Sequence, residues 1–456
     1  MQNEMNKMGT MPVPKLLWNM GAPIMFSMLG QALYNVVDSF FVSHMPDTAA
    51  VAELGDKAIR ALTLAFPIQM LIIALGVGTG VGVNAALSGC LGRRDREGAC
   101  RTAGNALFVS ACYYAAILLF GLLGVRAFIG SQTTDPDVAA MGIRYLQIVT
   151  IGAFGCIGFM CLEKFLIATG DTVTAMLAQL AGAVVNTILD PIMIFGLLGC
   201  PAMGVAGAAI ATVIGQCVGL TVALAVYLRR AREVPILLRC LRPDRTALRR
   251  IYAVGAPAIL MQLLSPVMTY GMNLILGSVS AAAVTAYGLY YKLQNFIFMP
   301  AYGLNNAVIP IVSYNRGAGQ KARITSAIRC GLFAVSLIMV LGILLLQLFA
   351  HQIVGIFAVA PESASLCVTA LRIVTCGFLF AGVNIILQGV CQALGSGLSS
   401  LAVSLLRLLV VVLPLAWALS RLPTATTAVW FALPAAEASA CVCAILLTRR
   451  VTRLAS

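Results

Sequence analysis

Twelve long apolar runs, separated by short polar segments, constrain the fold of this chain more than any other feature. Each run reaches the roughly 20 residues that an α-helix needs to cross a bilayer. We therefore predict an all-α polytopic membrane protein with twelve transmembrane helices, numbered here as spans 1 to 12. The runs lie at about residues 16–42, 61–91, 103–129, 141–168, 173–198, 203–228, 251–276, 282–312, 324–350, 366–393, 398–419 and 425–448.

Composition excludes several classes of function. Hydrophobic residues make up 60% of the 456 residues and charged residues only 10%, which a soluble domain with a charged surface does not reach. The net charge of +14 falls in the short segments between runs, so nucleic acid binding is not predicted. The fourteen cysteines form no CxxC pair and are interpreted as thiols rather than disulfides or metal ligands. With two histidines in all, the chain has little from which to build a hydrolytic or zinc site.

Lysine and arginine predict the orientation. If both termini are cytoplasmic, the cytoplasmic segments carry 22 of these residues and the opposite segments carry six. Short cytoplasmic segments of membrane proteins are enriched in Lys and Arg, so we expect both termini inside. The densest basic block, residues 229–250, separates spans 6 and 7 and can also contact anionic lipid headgroups.

The two halves of the chain repeat. Leu-Gln-Ile-Val-Thr-Ile-Gly at 146–152 recurs as Leu-Arg-Ile-Val-Thr-Cys-Gly at 371–377, and Gly170 keeps the same spacing of 225 to Gly395. Six spans per copy give both copies the same orientation, an architecture found in carriers that move about a central cavity. We predict an N-terminal lobe at 1–235 with the cation site, and a C-terminal lobe at 236–456.

A carboxamide and a carboxylate lie one helical turn apart in span 5. Asn186 and Asp190 project from the same face, and Pro191 removes a backbone donor, which leaves a carbonyl one turn earlier for another partner. An acid inside a span costs about 2.5 to 3.5 kcal/mol on insertion scales, so it indicates a functional site. The alternative is an aspartate buried for packing alone.

Asp38 of span 1 and Thr212 of span 6 are expected near the depth of Asp190. Together with Asn186 they provide hard oxygen ligands, which suit a proton or a sodium ion better than a transition metal. No other cofactor or metal is predicted. Two like charges at one depth favour binding of a cation or protonation of one carboxyl group.

The second half carries different charges. Lys292 in span 8, Arg407 in span 11 and Glu437 in span 12 lie at mid-depth, while spans 7 and 10 offer the neutral Gln262 and Asn384. We predict that Lys292 and Glu437 form a buried structural pair. A cation is expected to prefer the first half.

Several short motifs, taken in order, resemble the multidrug and toxic compound extrusion (MATE) family over residues 15–450. They are Gly-Ala-Pro at 21–23, Asn-Val-Val-Asp-Ser-Phe-Phe-Val at 35–42, Gly-Arg-Arg-Asp-Arg-Glu-Gly-Ala at 92–99, Asn-Thr-Ile-Leu-Asp-Pro at 186–191, Ala-Ala-Ile-Ala-Thr at 208–212, Met-Pro-Ala-Tyr-Gly-Leu-Asn-Asn at 299–306 and Gln-Ala-Leu-Gly at 392–395. The resemblance is to the bacterial branch with a cation site in the N-terminal lobe, at positions matching Asp38, Asn186, Asp190 and Thr212. Gln262 and Asn384 depart from branches that carry acids in spans 7 and 10.

The resemblance implies a secondary active antiporter of the bacterial inner membrane and not an enzyme. We expect it to be a monomer. It would export amphiphilic organic cations in exchange for protons or sodium ions by alternating access. A flippase for a lipid-linked precursor, a channel and a membrane enzyme remain alternatives. Candidate residues of the substrate cavity are Tyr34, Gln69, Met261, Gln262, Tyr287, Tyr291 and Phe296.

Overall fold

The chain folds into a bundle of membrane-spanning helices. The computed structural model describes residues 7–43, 45, 54–230, 238–355, 357 and 360–455, and every regular element within these ranges is helical. Eleven spans, with one bent pair counted once, are long and apolar enough to cross a membrane. The 31-residue helix Val13–Ser43 is span 1 and completes the predicted twelve.

Eight of the twelve spans are single helices. Span 1 is followed by Leu54–Gly92, Arg96–Leu123, Thr172–Phe195, Val205–Arg230, Arg245–Gly277, Ala281–Gly317 and Lys321–Leu348, which are spans 2, 3, 5, 6, 7, 8 and 9. The other four are interrupted: span 4 is Pro136–Ile151 with Ala153–Thr169, span 10 is Pro361–Val374, Thr375–Gly377 and Phe378–Ala393, span 11 is Gly397–Leu405, Leu406–Val410 and Val412–Leu419, and span 12 is Ala425–Ala428, Val429–Phe431 and Ala432–Ala455. Short helices cover Lys7–Thr10, Val125–Gly130, Leu238–Leu241 and Ala350–Gly355.

The repeated motif explains the interruptions of spans 4 and 10. The two helices of span 4 meet at 44°, and span 10 contains a 3₁₀ turn at the equivalent position, Thr375–Gly377. Thr150 Oγ1 donates to the carbonyl of Leu146 over 2.6 Å, and Thr375 Oγ1 donates to that of Leu371 over 2.7 Å. A threonine that bonds back one turn bends its helix, so the sequence repeat is also a repeat of shape.

Glycines let the two lobes meet at one end of the bundle. Gly92 at the end of span 2 has no room for a Cβ against the backbone of Tyr314 in span 8, and Gly317 has none against Gly89. Gly82 packs in the same way against the carbonyl of Ile251 in span 7. We call this end, where spans 2 and 8 finish and span 7 begins, the basic end; the opposite end is called the open end.

A disulfide at the basic end corrects the interpretation of the cysteines. Cys100 of span 3 is bonded to Cys240 in the short helix before span 7, and the other twelve cysteines are free. The short helix Leu238–Leu241 can approach span 3 this closely because Gly104 has no Cβ; a Cβ there would collide with the Cys240 backbone. Sequence spacing gave no sign of the pair, since 140 residues separate its members. The predicted lobe boundary, between 235 and 236, lies outside the described residues.

Polar contacts hold the same connection. Asn105 Oδ1 accepts from the backbone nitrogen of Asp244 over 2.8 Å, and Arg101 forms an ion pair with the Asp244 carboxylate at 3.4 Å. Asp244 also caps span 7, where its side chain accepts from the backbone nitrogen of Thr246. That bond, with the charge of Arg101, lowers the pKa of Asp244. The start of the second lobe is therefore fastened to span 3 of the first.

Candidate functional site

The first lobe contains a buried polar cluster where the sequence predicted the cation site. Asp190 is fully buried and Asn186 nearly so, while Thr212 is partly exposed. In the amide orientation that satisfies every neighbour, Asn186 Nδ2 donates to Asp190 Oδ2 over 3.2 Å. Asn186 Oδ1 accepts from Thr212 Oγ1 at 3.3 Å and from the Thr212 backbone nitrogen at 3.1 Å. Spans 5 and 6 thus present an acid, an amide and a hydroxyl to one another.

Close packing of spans 5 and 6 brings these side chains together. Gly182 and Gly215 lie backbone to backbone, with no more than 2.6 Å for a Cβ, and a Cβ on Gly215 would also lie 2.9 Å from the Cβ of Asn186. Thr212 is almost one turn from Gly215, so it reaches the same level. Small residues allow helix backbones to approach closely within a membrane.

Two predicted residues cannot be placed. The side chains of Asp38 and Tyr34, in the C-terminal half of span 1, are outside the described part of the chain. Span 1 itself packs along span 5: a Cβ on Gly30 would lie 2.7 Å from Leu180 Cδ2. The structure therefore brings together three of the four predicted cation ligands, and the position of Asp38 remains a prediction.

The buried charge pair of the second lobe has a different cation from the predicted one. Arg407 Nε donates to Glu437 Oε1 over 2.6 Å, with the two side chains 9% and 14% exposed. Asn384 Nδ2 donates to Glu437 Oε2 over 2.8 Å. Arg407 lies in the five-residue π-helix Leu406–Val410. The predicted Lys292–Glu437 pair is wrong, because Lys292 lies on an exposed face of span 8.

The lobes separate toward the open end. Near the middle of the bundle, Gly78 of span 2 contacts Ile259 of span 7, and Gly303 of span 8 contacts Met25 of span 1. Residues 7 or 11 positions along a helix, two or three turns away, lie on the same face. The residues 7 and 11 positions toward the open end from Gly78, Ile259 and Gly303 are all exposed. They are Leu71 and Pro67 in span 2, Pro266 and Tyr270 in span 7, and Phe296 and Lys292 in span 8.

By helical register these six residues face the space between the lobes, which we call the cavity. Tyr270 is 67% exposed and Phe296 42%, which is far from the burial of residues 307–315 further along span 8. The walls are apolar and aromatic, with one ammonium group. The molecule is thus closed at the basic end and accessible from the open end.

The predicted cavity residues divide between the cavity and the lobes. Phe296 lines the cavity, Gln262 is exposed beside it on span 7, and Met261 and Tyr291 are partly exposed. Gln69 donates to Tyr145 OH within the first lobe, over 2.8 Å.

Tyr287 was predicted to line the substrate cavity, and it does not. The side chain is fully buried and stacks on Trp430 in the second lobe, with ring centroids 6.5 Å apart. Tyr287 is nine residues from Phe296, which places the two side chains on opposite faces of span 8.

Comparison with known proteins settles the family. A family model described as MatE matches residues 23–192 and 257–418, one stretch in each half of the chain. This chain is a member of the MATE family. It is a multi-pass membrane transporter and not an enzyme, as the sequence predicted.

Individual MATE proteins are similar over almost the whole chain. Multidrug export protein MepA of Staphylococcus aureus is 25% identical over 445 residues, covering 96% of this chain and 93% of that protein. Multidrug export protein MepA of Staphylococcus saprophyticus is 26% identical over 428 residues, covering 91% and 89%. A solved outward-facing multidrug resistance MATE family transporter has a TM-score of 0.92 at 24% identity, covering 100% of this chain and 99% of that one.

Proposed function

We propose that this MATE transporter exports amphiphilic drugs in exchange for protons or sodium ions by alternating access. The observation that carries the proposal is the buried cluster of Asp190, Asn186 and Thr212 in one lobe beside a cavity that opens at one end. Relatives named as multidrug export proteins support the substrate class. The protein lies in a bacterial plasma membrane. Its basic end faces the cytoplasm, as the excess of Lys and Arg indicates.

The coupling ion acts through the state of the first lobe. Asp38 and Asp190 are two acids assigned to one site, so an ion or proton between them lowers their mutual repulsion. Binding therefore stabilises the arrangement of spans 1, 5 and 6 that encloses the ion. An ion can shift the equilibrium between the two states only by its difference in affinity for them. The gradient sets how often the site is occupied from each side of the membrane and so supplies the free energy for export.

The test uses purified protein in liposomes with a proton or a sodium gradient imposed separately. Asp190→Asn and Asp38→Asn keep side-chain volume and remove the titratable charge, so each is expected to abolish gradient-driven drug movement in protein that is still inserted. Asp56→Asn, at the start of span 2 and away from the cluster, is the matched control and should transport normally. Gradient-driven transport by Asp190→Asn at the normal rate would show that the coupling site lies elsewhere.

A further inference from the structure

Lys292 is an intramembrane lysine that takes no part in the buried Arg407–Glu437 pair. It begins the fourth turn of span 8, eleven residues from the helix start at Ala281, a depth of about 16 Å at helical rise. Insertion of a lysine at such a depth costs about 2.5 to 3.5 kcal/mol unless it serves a site or meets water. Its role therefore depends on which way its side chain points.

The register of span 8 places Lys292 in the cavity rather than against lipid. Gly303 lies eleven residues further along, on the same face, and contacts Met25 of span 1 across the lobe interface. Phe296 lies between them on that face and is exposed. The opposite face, with Tyr287 and Tyr290, is buried in the second lobe. The ammonium group of Lys292 therefore faces the space between the lobes.

Among the residues that the structure describes, no carboxylate neutralises this group. None of the ion pairs formed among the described residues involves Lys292. By sequence, spans 1, 2, 7 and 8 contain two acids. One is Asp38, assigned to the coupling ion, and the other is Asp56, within two residues of the start of span 2 and about 14 Å shallower than Lys292 by helical rise.

We infer that Lys292 is a specificity-determining residue, and that the transporter prefers amphiphiles that carry a carboxylate. This inference rests on the proposed export function and narrows its substrate. The aromatic walls, with Phe296 one turn from Lys292 and Tyr270 across on span 7, accept the apolar body. The ammonium group donates a charge-assisted hydrogen bond to the carboxylate. A single ammonium suits one carboxylate and not a pyrophosphate, which requires several cations.

The experiment uses two dyes that differ only at one group. Rhodamine 110 carries a free carboxylate, and rhodamine 123 is its methyl ester. Binding is measured by fluorescence anisotropy with protein in lipid nanodiscs, and transport is measured in liposomes. A charge-assisted hydrogen bond predicts that Lys292→Gln weakens binding of rhodamine 110 about tenfold or more. Binding of rhodamine 123 should be unchanged or tighter, because a positive charge is removed.

Two variants accompany Lys292→Gln. Lys292→Arg keeps the charge and should retain the preference for rhodamine 110, whereas Lys15→Gln, a lysine exposed at the basic end of span 1, should bind both dyes as the native protein does. Equal effects of Lys292→Gln on both dyes, or no effect on either, would overturn the inference. If the native protein binds the dyes with the expected preference but moves neither under an ion gradient, the proposed export function fails and the assignment of Lys292 stands.

Discussion

Arg407 and Glu437 are joined by a 2.6 Å hydrogen bond within the second lobe, at the π-helical turn of span 11. The pair borders a small cavity of about 30 Å³, which also contacts Tyr290 and Gln294. A space of this size can hold a water molecule or two. Because little of either side chain is exposed, each charge depends on the other for neutralisation.

Removing one member of this pair should destabilise the protein. Glu437→Gln leaves a buried guanidinium without its carboxylate, a loss of about 3 to 5 kcal/mol for buried pairs in general. Thermal unfolding of the detergent-purified protein should show a lower midpoint, and Arg407→Met combined with Glu437→Met should recover much of it. Glu97→Gln, which breaks an exposed pair with Arg101, should change the midpoint little. Additive losses in the double variant would contradict the pairing.

Thr212 tests the neutral part of the cation cluster. Thr212→Ala removes one hydroxyl from Asn186 and should raise the ion concentration for half-maximal transport about three- to tenfold, the worth of one hydrogen bond. The matched control is Thr221→Ala, nine residues along the same span, where the hydroxyl bonds only its own helix at Cys217. If both variants shift the ion dependence equally, Thr212 has no special place in the site.

Gly317 tests closure at the basic end. In Gly317→Ala the new Cβ meets the backbone of Gly89 and Arg93, so the lobes must separate there. Hydrogen exchange in peptides covering 86–95 and 311–320 should become faster, and transport should fall. Gly288→Ala, in the same span but with nothing within 4 Å of its Cβ, should leave both measurements unchanged. Unaltered exchange in Gly317→Ala would show that the contact does not control closure.

The disulfide predicts a thiol count. Denatured, unreduced protein should react with twelve maleimides and reduced protein with fourteen, measured as mass shifts. Cys100→Ser should give thirteen with or without reduction, because Cys240 is then free. Because the cytoplasm is reducing, alkylation in acid-quenched cells measures how much of the bond exists there. Fourteen reactive thiols in unreduced purified protein would contradict the bond.

Orientation is open to a reporter test. Green fluorescent protein fused after Arg230, between spans 6 and 7, should be fluorescent, and alkaline phosphatase at the same point should be inactive. Fusions after Gln132, between spans 3 and 4, should give the opposite result, because this segment belongs to the side predicted to carry only six Lys and Arg in all. Active phosphatase after Arg230 would invert the predicted orientation.

Much of the fold could be predicted from the sequence because each span is specified by its own residues. Apolar length gave the twelve spans, and the copies of Leu-x-Ile-Val-Thr-x-Gly gave the repeat. The same motif held the signal for the bends at Thr150 and Thr375, which a reading of span length alone misses. The disulfide depends on two distant segments meeting, so its sequence spacing carries no signal.

The candidate site was predictable where its residues share one helix. Asn186 and Asp190 are one turn apart, and only Thr212 had to be matched by depth. The partner of Glu437 was not predictable, because depth cannot separate Lys292 from Arg407. Direction around the helix decides it, and for Lys292 that signal was present in its eleven-residue spacing from Gly303.

The bond between Cys100 and Cys240 sets the reach of the linkage between the lobes. Without it, the chain from Arg230 to Arg245 could extend to about 50 Å. With it, the chain is covalently fixed at Cys240, and the stretch from there to span 7 can extend to at most about 18 Å. Formation of the disulfide therefore limits how far the start of span 7 can move from span 3, and reduction removes that covalent limit.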